Sequence, residues 1–395
     1  MTRREIPFGV IGCGLMGREF ASAAARWCHL LDVDFRPVIV AVSDTSAPAM
    51  EWFSSHVPTV WRAYADYRDL LGDPGVEAVY CAVPHHLHAA IYEDAMAAGK
   101  HLMGEKPFGI DEPANARVLA SVRRHPELTV RCSSEFPFYP GAYRIAQMVR
   151  ERAFGTILEV EAGFWHSSDL DPLKPLNWKR RSAENGRYGS MGDLGLHVVH
   201  LPLLFGWVPH DVRAILQRVY PQRPDRDGRL QPTDTWDNAV LLCEVRTQPQ
   251  AFPLLLSTKR VAPGHANTWF LRIVGTRNSA WFSTRNPKTL VTLPYEPGGE
   301  QAERRVDLPY QSAYRTVTGG IFEFGFSDAV LQMWAAYCDE LTHGQGMEQP
   351  LRCASPEITA MSHRLFTAAL RSQETGATVP LGSEPTLPEG VTGSC

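Results

Sequence analysis

In the stretch GSMGDLGLHVVHLPLLFGW, Asp193 and His197 stand four residues apart at the head of an apolar run. On a helix that spacing puts both side chains on one face. A neutral imidazole whose pKa lies near the working pH can remove a hydroxyl proton while hydride leaves the same carbon, and the carboxylate can orient the ring or contact the substrate. The plainer account makes Asp193 a helix N-cap and His197 a satisfied, partly buried histidine. His200 shares the face, where it can join the pair around a metal, reshape the pocket or pack beneath it. A further cation, Lys106 in Glu105-Lys106-Pro107, closes an apolar strand. In a parallel sheet such a lysine points into the crevice where ligands bind, and Pro107 stiffens the turn; a surface lysine is the alternative.

Directly after the apolar run Phe8 to Ile11, the residues Gly12, Cys13, Gly14, Leu15, Met16 and Gly17 spell GCGLMG, and an amphipathic segment follows. Between a strand and a helix, the first glycine permits a tight turn, the second lets backbone approach a pyrophosphate and the third lets helix and strand pack, while the helix N-terminus favours the anion. A glycine-rich turn without ligand is the bland reading. Asp44 ends the next strand, VIVAVSD, 27 positions beyond Gly17. Its carboxylate can accept hydrogen bonds from both adenosine ribose hydroxyls and opposes a 2′-phosphate, which favours NAD over NADP; Ser43, Thr45 and Ser46 leave NADP open, and a turn aspartate is the alternative. Pro84, His85 and His88 sit just beyond the strand VEAVYCAV at the same crevice. His85, His86 and His88 would need an outside ligand to close a metal site, so no metal is expected.

These segments carry a resemblance. In order, GCGLMG, AVPHHLHA at 82–89, GKHLMGEKP at 99–107, FGTILEVEA at 154–162, GDLGLHVVH at 192–200, FLRIVGTRNSAWF and a closing helix followed by GATVPL resemble the Gfo/Idh/MocA oxidoreductases over nearly the whole chain. The likeness implies an NAD(P)-dependent enzyme that transfers hydride between the nicotinamide and a secondary alcohol of a sugar, glycoside or cyclitol. It implies a place for Lys106 beside the nicotinamide, with its ammonium on the reacting oxygen to stabilise alkoxide character. It gives Asp193 and His197 the roles reached above, and it implies that the loop of Pro84, His85 and His88 lines the cofactor, with Glu105 a further cofactor contact. Two departures accompany it: His200 stands where an aspartate is usual, and in SSEFPFYP Glu135 and Pro137 replace an asparagine and an arginine. Glu135 is expected on the nicotinamide ribose or amide, with an exposed loop carboxylate as the alternative. Trp178 and Arg180 in LNWKR resemble the aromatic platform and cation that meet polyhydroxy substrates, core packing being the other account of Trp178. Trp165, with Phe164 and His166 at a strand end, is expected to add a wall.

The likeness also implies a homodimer or homotetramer paired through the open face of the second sheet. Alternatives stay open. One is an NAD-dependent glycosidase acting by transient oxidation, and another is a non-catalytic sugar or dinucleotide sensor, against which the intact EKP and DxxxH segments argue. A third is a dehydrogenase or reductase on a non-sugar ring such as a dihydrodiol or imine.

Holding such groups requires a particular frame. Through residue 132, short apolar runs alternate with amphipathic ones, which predicts a parallel, doubly wound Rossmann domain over 1–132. From 133 to 395 the texture changes to longer β-branched and aromatic runs, predicting a second α/β domain with a large, mainly antiparallel open sheet of about six strands. Helices are expected near 140–152, 193–205, 326–343 and 355–374, and a loose tail from about 383. Length favours two domains, and the net charge of -4 in a mixed pattern provides no basic stripe for nucleic acid or an anionic membrane. The eight cysteines show no CxxC pairs and read as reduced core residues, and no run approaches a membrane span, so the cytoplasm is the expected location.

Overall fold

The computed structural model describes residues 3–247, 250–308, 312–347, 349 and 351–382. It divides into two compact units, one comprising 1–138 and 312–356 and the other 139–311 and 357–395. The expected tail from 383 lies outside the described residues.

The first unit opens with strand β1 (Arg4–Ile11) and helix α1 (Leu15–Ala25), followed by β2 (Phe35–Ser43), α2 (Ala47–His56), β3 (Arg62–Tyr64) and α3 (Tyr67–Leu71). Then come β4 (Ala78–Cys81), α4 (His88–Ala97), β5 (His101–Gly104), α5 (Glu112–Arg124) and β6 (Val130–Cys132). All six strands run parallel in the order β3-β2-β1-β4-β5-β6, so the chain reverses direction across the sheet between β1 and β4. The expected alternation of strand and helix is what builds this sheet, and its central strands are buried on both faces. A crevice at such a reversal, beyond the C-terminal ends of the strands, is where doubly wound sheets bind ligands.

The second unit begins with α6 (Pro140–Arg150), β7 (Ile157–Trp165), α7 (Ser182–Asn185), α8 (Ser190–Leu204) and β8 (Pro209–Gln217). A short ribbon, β9 (Gln222–Pro224) and β10 (Leu230–Pro232), precedes β11 (Asn238–Thr247), β12 (Gln250–Lys259), β13 (Thr268–Gly275), β14 (Asn278–Ser283), β15 (Thr289–Pro294) and β16 (Arg304–Asp307). The chain then supplies α9 (Phe326–His343) to the first unit and returns with α10 (Pro356–Thr375) and β17 (Val379–Pro380). Nine strands form one sheet, β16-β15-β14-β13-β7-β12-β11-β8-β17, in which only β7 and β12 are parallel neighbours. That exceeds the six expected strands by three: β8 is short of strong apolar runs, β16 is exposed along its whole length and β17 is only two residues long, so none of them shows the apolar run that marks a buried strand. The apolar helix α8 lies over β7 and β12, with Ser190 Oγ 3.1 Å from Thr258 Oγ1.

One assignment differs from the reading of the sequence, which gave everything after 132 to the second domain. The segment carrying α9 packs into the first unit because its aromatic face completes that core: the Trp334 ring stacks on Phe20 at 3.7 Å and meets Phe8 edge-on at 5.6 Å. Tyr314, just before it, donates to Asp339 at 2.6 Å within the same segment. The seven described cysteines form no disulfide; Cys28 is the exposed one and the others are buried. No helix among the described residues is long and apolar enough to cross a membrane.

Candidate functional site

In the first unit the three glycines behave differently. Gly12 has φ +97°, a conformation that disfavours a side chain, and a Cβ there would press on the Ala82 carbonyl. A Cβ on Gly17 would collide with the Gly12 carbonyl, so helix and loop pack only through glycine at that position. Gly14 forms the N-cap of α1 and has nothing within 4 Å of a built Cβ, leaving open space in front of the helix N-terminus. That combination of a closed turn, an open approach and a helix end is what a pyrophosphate requires. Leu15 and Gly14 are exposed, Met16 is half-buried and Cys13 is buried. Burial, with Asp44 adding to it, pushes the Cys13 thiol up to about 12, so it remains protonated.

Asp44 lies just past β2 and is fixed to the loop. Its Oδ2 accepts from the Cys13 N–H and its Oδ1 from the Ser46 N–H, both at 2.8 Å. The carboxylate is therefore held next to the phosphate loop with lone pairs to spare for ribose hydroxyls.

The Glu105-Lys106-Pro107 segment follows β5, and its Lys106–Pro107 peptide is cis. Glu105, expected as a cofactor contact, is held by hydrogen bonds at the strand ends. It is buried, and its Oε1 accepts from Tyr80 at 2.7 Å and Ser133 at 2.6 Å, while Tyr92 donates to its carbonyl at 2.8 Å. The carboxylate thus ties the ends of three neighbouring strands together and fixes the half-buried Lys106 that follows it. His88 is also an internal brace: its Nε2 donates to the Val83 carbonyl at 3.0 Å, Nδ1 faces the Gly109 N–H at 3.4 Å, and the ring stacks on Tyr92. His85 is buried beside it, whereas His86 is exposed, so the three histidines do not converge; Pro84 is half-buried at the strand end. Glu135 is buried rather than on an exposed loop. Burial, and then Glu105 against the opposing pull of Lys106, raises its carboxyl to about 7.

In the second unit, Asp193 and His197 both lie in α8 at 2% and 4% exposure. Asp193 is not the N-cap; Gly189 is, and Asp193 occupies the first turn, where the helix dipole favours an anion. Its Oδ1 accepts from Lys179 Nζ at 3.0 Å, and its Oδ2 pairs with the Arg260 guanidinium. His197 lies one turn on, its carbonyl held by the Trp269 indole N–H at 2.8 Å and its ring edge-on to Phe164 at 5.6 Å. His200 is fully buried, neither ring nitrogen has a hydrogen-bond partner among the described residues, and burial lowers its pKa to about 3. Among the described residues no group of three or more His, Cys, Asp or Glu has metal-holding geometry.

Two residues expected as substrate contacts, Trp165 and Arg180, are engaged by groups of the protein itself. Trp165 does not face the α8 side of its strand. Successive residues of β7 point to opposite faces, and Phe164 takes the His197 side, while Trp165 donates to Ser257 Oγ at 2.8 Å and meets Phe270 edge-on on the other side. Arg180 is buried and engaged by Asp169 and, at 2.9 Å, by Asp237, so it belongs to the interior. Burial first, and then the neighbouring Arg260, lowers it to about 9. Within this segment the cation that reaches Asp193 is Lys179, beside Arg180, and its Nζ also lies 5.6 Å from the centroid of the half-buried Trp178 ring. Arg260 was not singled out from the sequence. The available signal was the pair Lys259-Arg260 closing the run FPLLLSTKR, beside which the parallel strand β7 ends.

Comparisons with known proteins bear on the family and the fold. The Gfo/Idh/MocA model, described as an oxidoreductase family with an NAD-binding Rossmann fold, matches residues 6–132, and the model of that family's C-terminal domain matches residues 143–281. Levoglucosan dehydrogenase of Pseudarthrobacter phenanthrenivorans is 27% identical over 57% of this chain and 57% of its own length. Trans-1,2-dihydrobenzene-1,2-diol dehydrogenase of Sus scrofa is 25% identical over 53% of this chain and 59% of its own. The chain thus aligns with little more than half the length of these curated relatives. A solved levoglucosan dehydrogenase in complex with NADH and levoglucosan superposes with a TM-score of 0.85 at 21% identity, covering 96% of this chain and all of that one, which establishes the shared fold.

Proposed function

We infer the reaction from the premise that the chain belongs to the Gfo/Idh/MocA family of oxidoreductases. We propose that it is an NAD(P)-dependent dehydrogenase acting on a secondary alcohol of a sugar, glycoside or cyclitol, with NAD the preferred dinucleotide. The observation that carries this reading is the Asp193–His197 pair on one buried helix, with the carboxylate paired to two cations and a histidine one turn away.

Each residue then has a definite task. The backbone from Gly12 to Gly17 takes the pyrophosphate, and the anchored Asp44 accepts from the ribose hydroxyls. Because Asp44 is fixed by two backbone N–H groups, it cannot swing aside for a 2′-phosphate, which supports the preference for NAD. Bound NAD would supply the hydride acceptor. His197 receives the hydroxyl proton on its imidazole, Asp193 stays ionised and orients substrate or ring, and Lys106 Nζ donates to the oxygen that becomes alkoxide. Trp178 and Lys179 offer an apolar plate and a cation next to Asp193 for a polyhydroxy substrate. The levoglucosan and dihydrodiol relatives support a cyclic substrate carrying vicinal oxygens. Self-association follows from the same reading, supported by Ile215 at 65% exposure opposite Val240 on the outer face of the large sheet, with Leu242 beside them.

The test mixes the protein with NAD or NADP and a panel of anhydrosugars, aldoses, glycosides, inositols and dihydrodiols, following absorbance at ~340 nm and substrate loss together. Rising absorbance with one polyol is expected. Substrate loss without absorbance would replace the reading with redox-assisted glycoside cleavage, and silence in both would replace it with a sensor. With the active polyol, Lys106→Ala and His197→Ala are each expected to lower kcat by ~10²-fold or more while leaving the NADH dissociation constant nearly unchanged. Either variant retaining most of its turnover would remove that residue from the mechanism.

A further inference from the structure

Asp193 sits at one end of a buried row of alternating charge. Arg260, the residue after β12, pairs with Asp193 through Nη1 and donates from Nε to Asp169 Oδ2 at 2.6 Å and from Nη2 to Ser168 Oγ at 3.2 Å. Asp169 also pairs with Arg180, which reaches Asp237 at 2.9 Å, and the far oxygen of Asp237 accepts the Val219 N–H at 2.7 Å. All five members of the row, Asp193, Arg260, Asp169, Arg180 and Asp237, are buried. Its edges are met by Lys179 at Asp193 and Lys174 at Asp169, the latter at 2.9 Å.

Such a row is a poor way to stabilise a fold. Desolvating buried charges commonly cancels their mutual attraction, and apolar residues of similar volume serve stability as well or better. What apolar residues cannot do is fix a carboxylate in one orientation and in its ionised form. Arginine suits that task and lysine does not, because one planar fork here spans two carboxylates that a single ammonium cannot bridge with the same geometry. Burial lowers Arg260 only to about 10, which keeps it cationic at neutral pH.

We propose that Arg260 is a positioning residue for the reaction: braced on Asp169, its guanidinium fixes the Asp193 carboxylate so that His197, one helical turn on, is the group that takes the substrate proton. This rests on the reading of Asp193 and His197 as the catalytic pair. The charged and titratable groups around Asp193 include Lys179 from the segment before α7, Arg260 just after β12 and His197 on its own helix, with Asp169 behind Arg260.

The test compares Arg260→Lys, Arg260→Gln, Asp169→Asn and Asp193→Asn in the full chain, with thermal melting and NADH titration to establish that each is folded. Asp169→Asn keeps volume and polarity, so it reports on the brace even if an Arg260 variant fails to fold. Two readouts are taken: kcat and KM with the active polyol, and the pH titration of Asp193 followed by carbon-13 carboxyl resonances, the signal being that lost in Asp193→Asn. The second readout needs no turnover. Arg260→Lys and Asp169→Asn are expected to lower kcat by ~10-fold or more with a smaller change in KM. Arg260→Gln is expected to move the Asp193 titration upward by about one pH unit or more. Wild-type kcat and an unmoved Asp193 titration in these variants, alongside a crippled Asp193→Asn, would overturn the role of Arg260 alone. An Asp193→Asn enzyme with undiminished kcat would instead overturn the catalytic pair on which the proposal stands.

Discussion

His200 shows how a single residue can carry a pH signature with no part in the chemistry. It follows His197 by three positions on α8, yet it lies in an apolar interior with both ring nitrogens unpartnered among the described residues. Because burial lowers its pKa from 6.5 to about 3, the folded chain accepts only the neutral ring. Above pH 6.5 folded and unfolded chains are both neutral there, and the contribution to stability is fully present. As pH falls from 6.5 towards 3, only the unfolded chain takes up the proton, and stability is lost by about 1.4 kcal/mol per pH unit. His200→Leu is therefore expected to melt near the wild type at pH 7.5 and clearly above it at pH 5.5. A melting difference that stays constant with pH would show that His200 does not titrate in this way. The spacing from Asp193 to His200 announced a shared face, but it could not show that the far end of that face is dry; that depends on what packs over it.

At the scale of elements, the phosphate loop was the part most fully legible in the sequence, because each glycine answers to a local steric rule. The structure separates their functions. Gly17→Ala is expected to disturb both folding and cofactor binding, since its Cβ would meet the Gly12 carbonyl, whereas Gly14→Ala has room for its methyl group and should melt close to the wild type while weakening NADH by ~10-fold or more. Fluorescence titration and melting on the same samples check this, and equal losses of stability would erase the distinction. Other features were not legible because they depend on long-range pairing. Trp165 and Phe164 are adjacent in sequence, and only the register of β7 against β12 and β13 decides which of them faces α8. Arg180 and Lys179 present the same ambiguity in a short turn: one points into the charge row and the other reaches Asp193. A motif names the segment, and tertiary packing chooses the residue within it.

For the whole molecule, the open face of the nine-stranded sheet and the path of the chain each lead to an expectation. Exposed Ile215, Val240 and Leu242 form an apolar stripe on strands β8 and β11, so Val240→Lys combined with Leu242→Lys is expected to lower the mass measured by light scattering. An unchanged mass would remove this face from any assembly. The core of the first unit depends on α9, whose Trp334 is buried against Phe8 and Phe20. Trp334→Ala is expected to cost about 3–5 kcal/mol and to lower NADH affinity through loss of the folded unit, measured by denaturant unfolding. A variant that unfolds at wild-type denaturant concentration would mean that the six-stranded sheet is self-sufficient.

The same detour of the chain sets a timetable for synthesis. The first unit cannot close its core when residue 138 leaves the ribosome, because α9 at Phe326–His343 is still unmade. At about 5–20 residues per second, translating the intervening stretch of roughly 200 residues takes ~10–40 s. Through that interval Phe8 of the nascent sheet and Phe20 of α1 lack their Trp334 partner, so the dinucleotide-binding half, although begun first, cannot be completed until most of the second unit has been made.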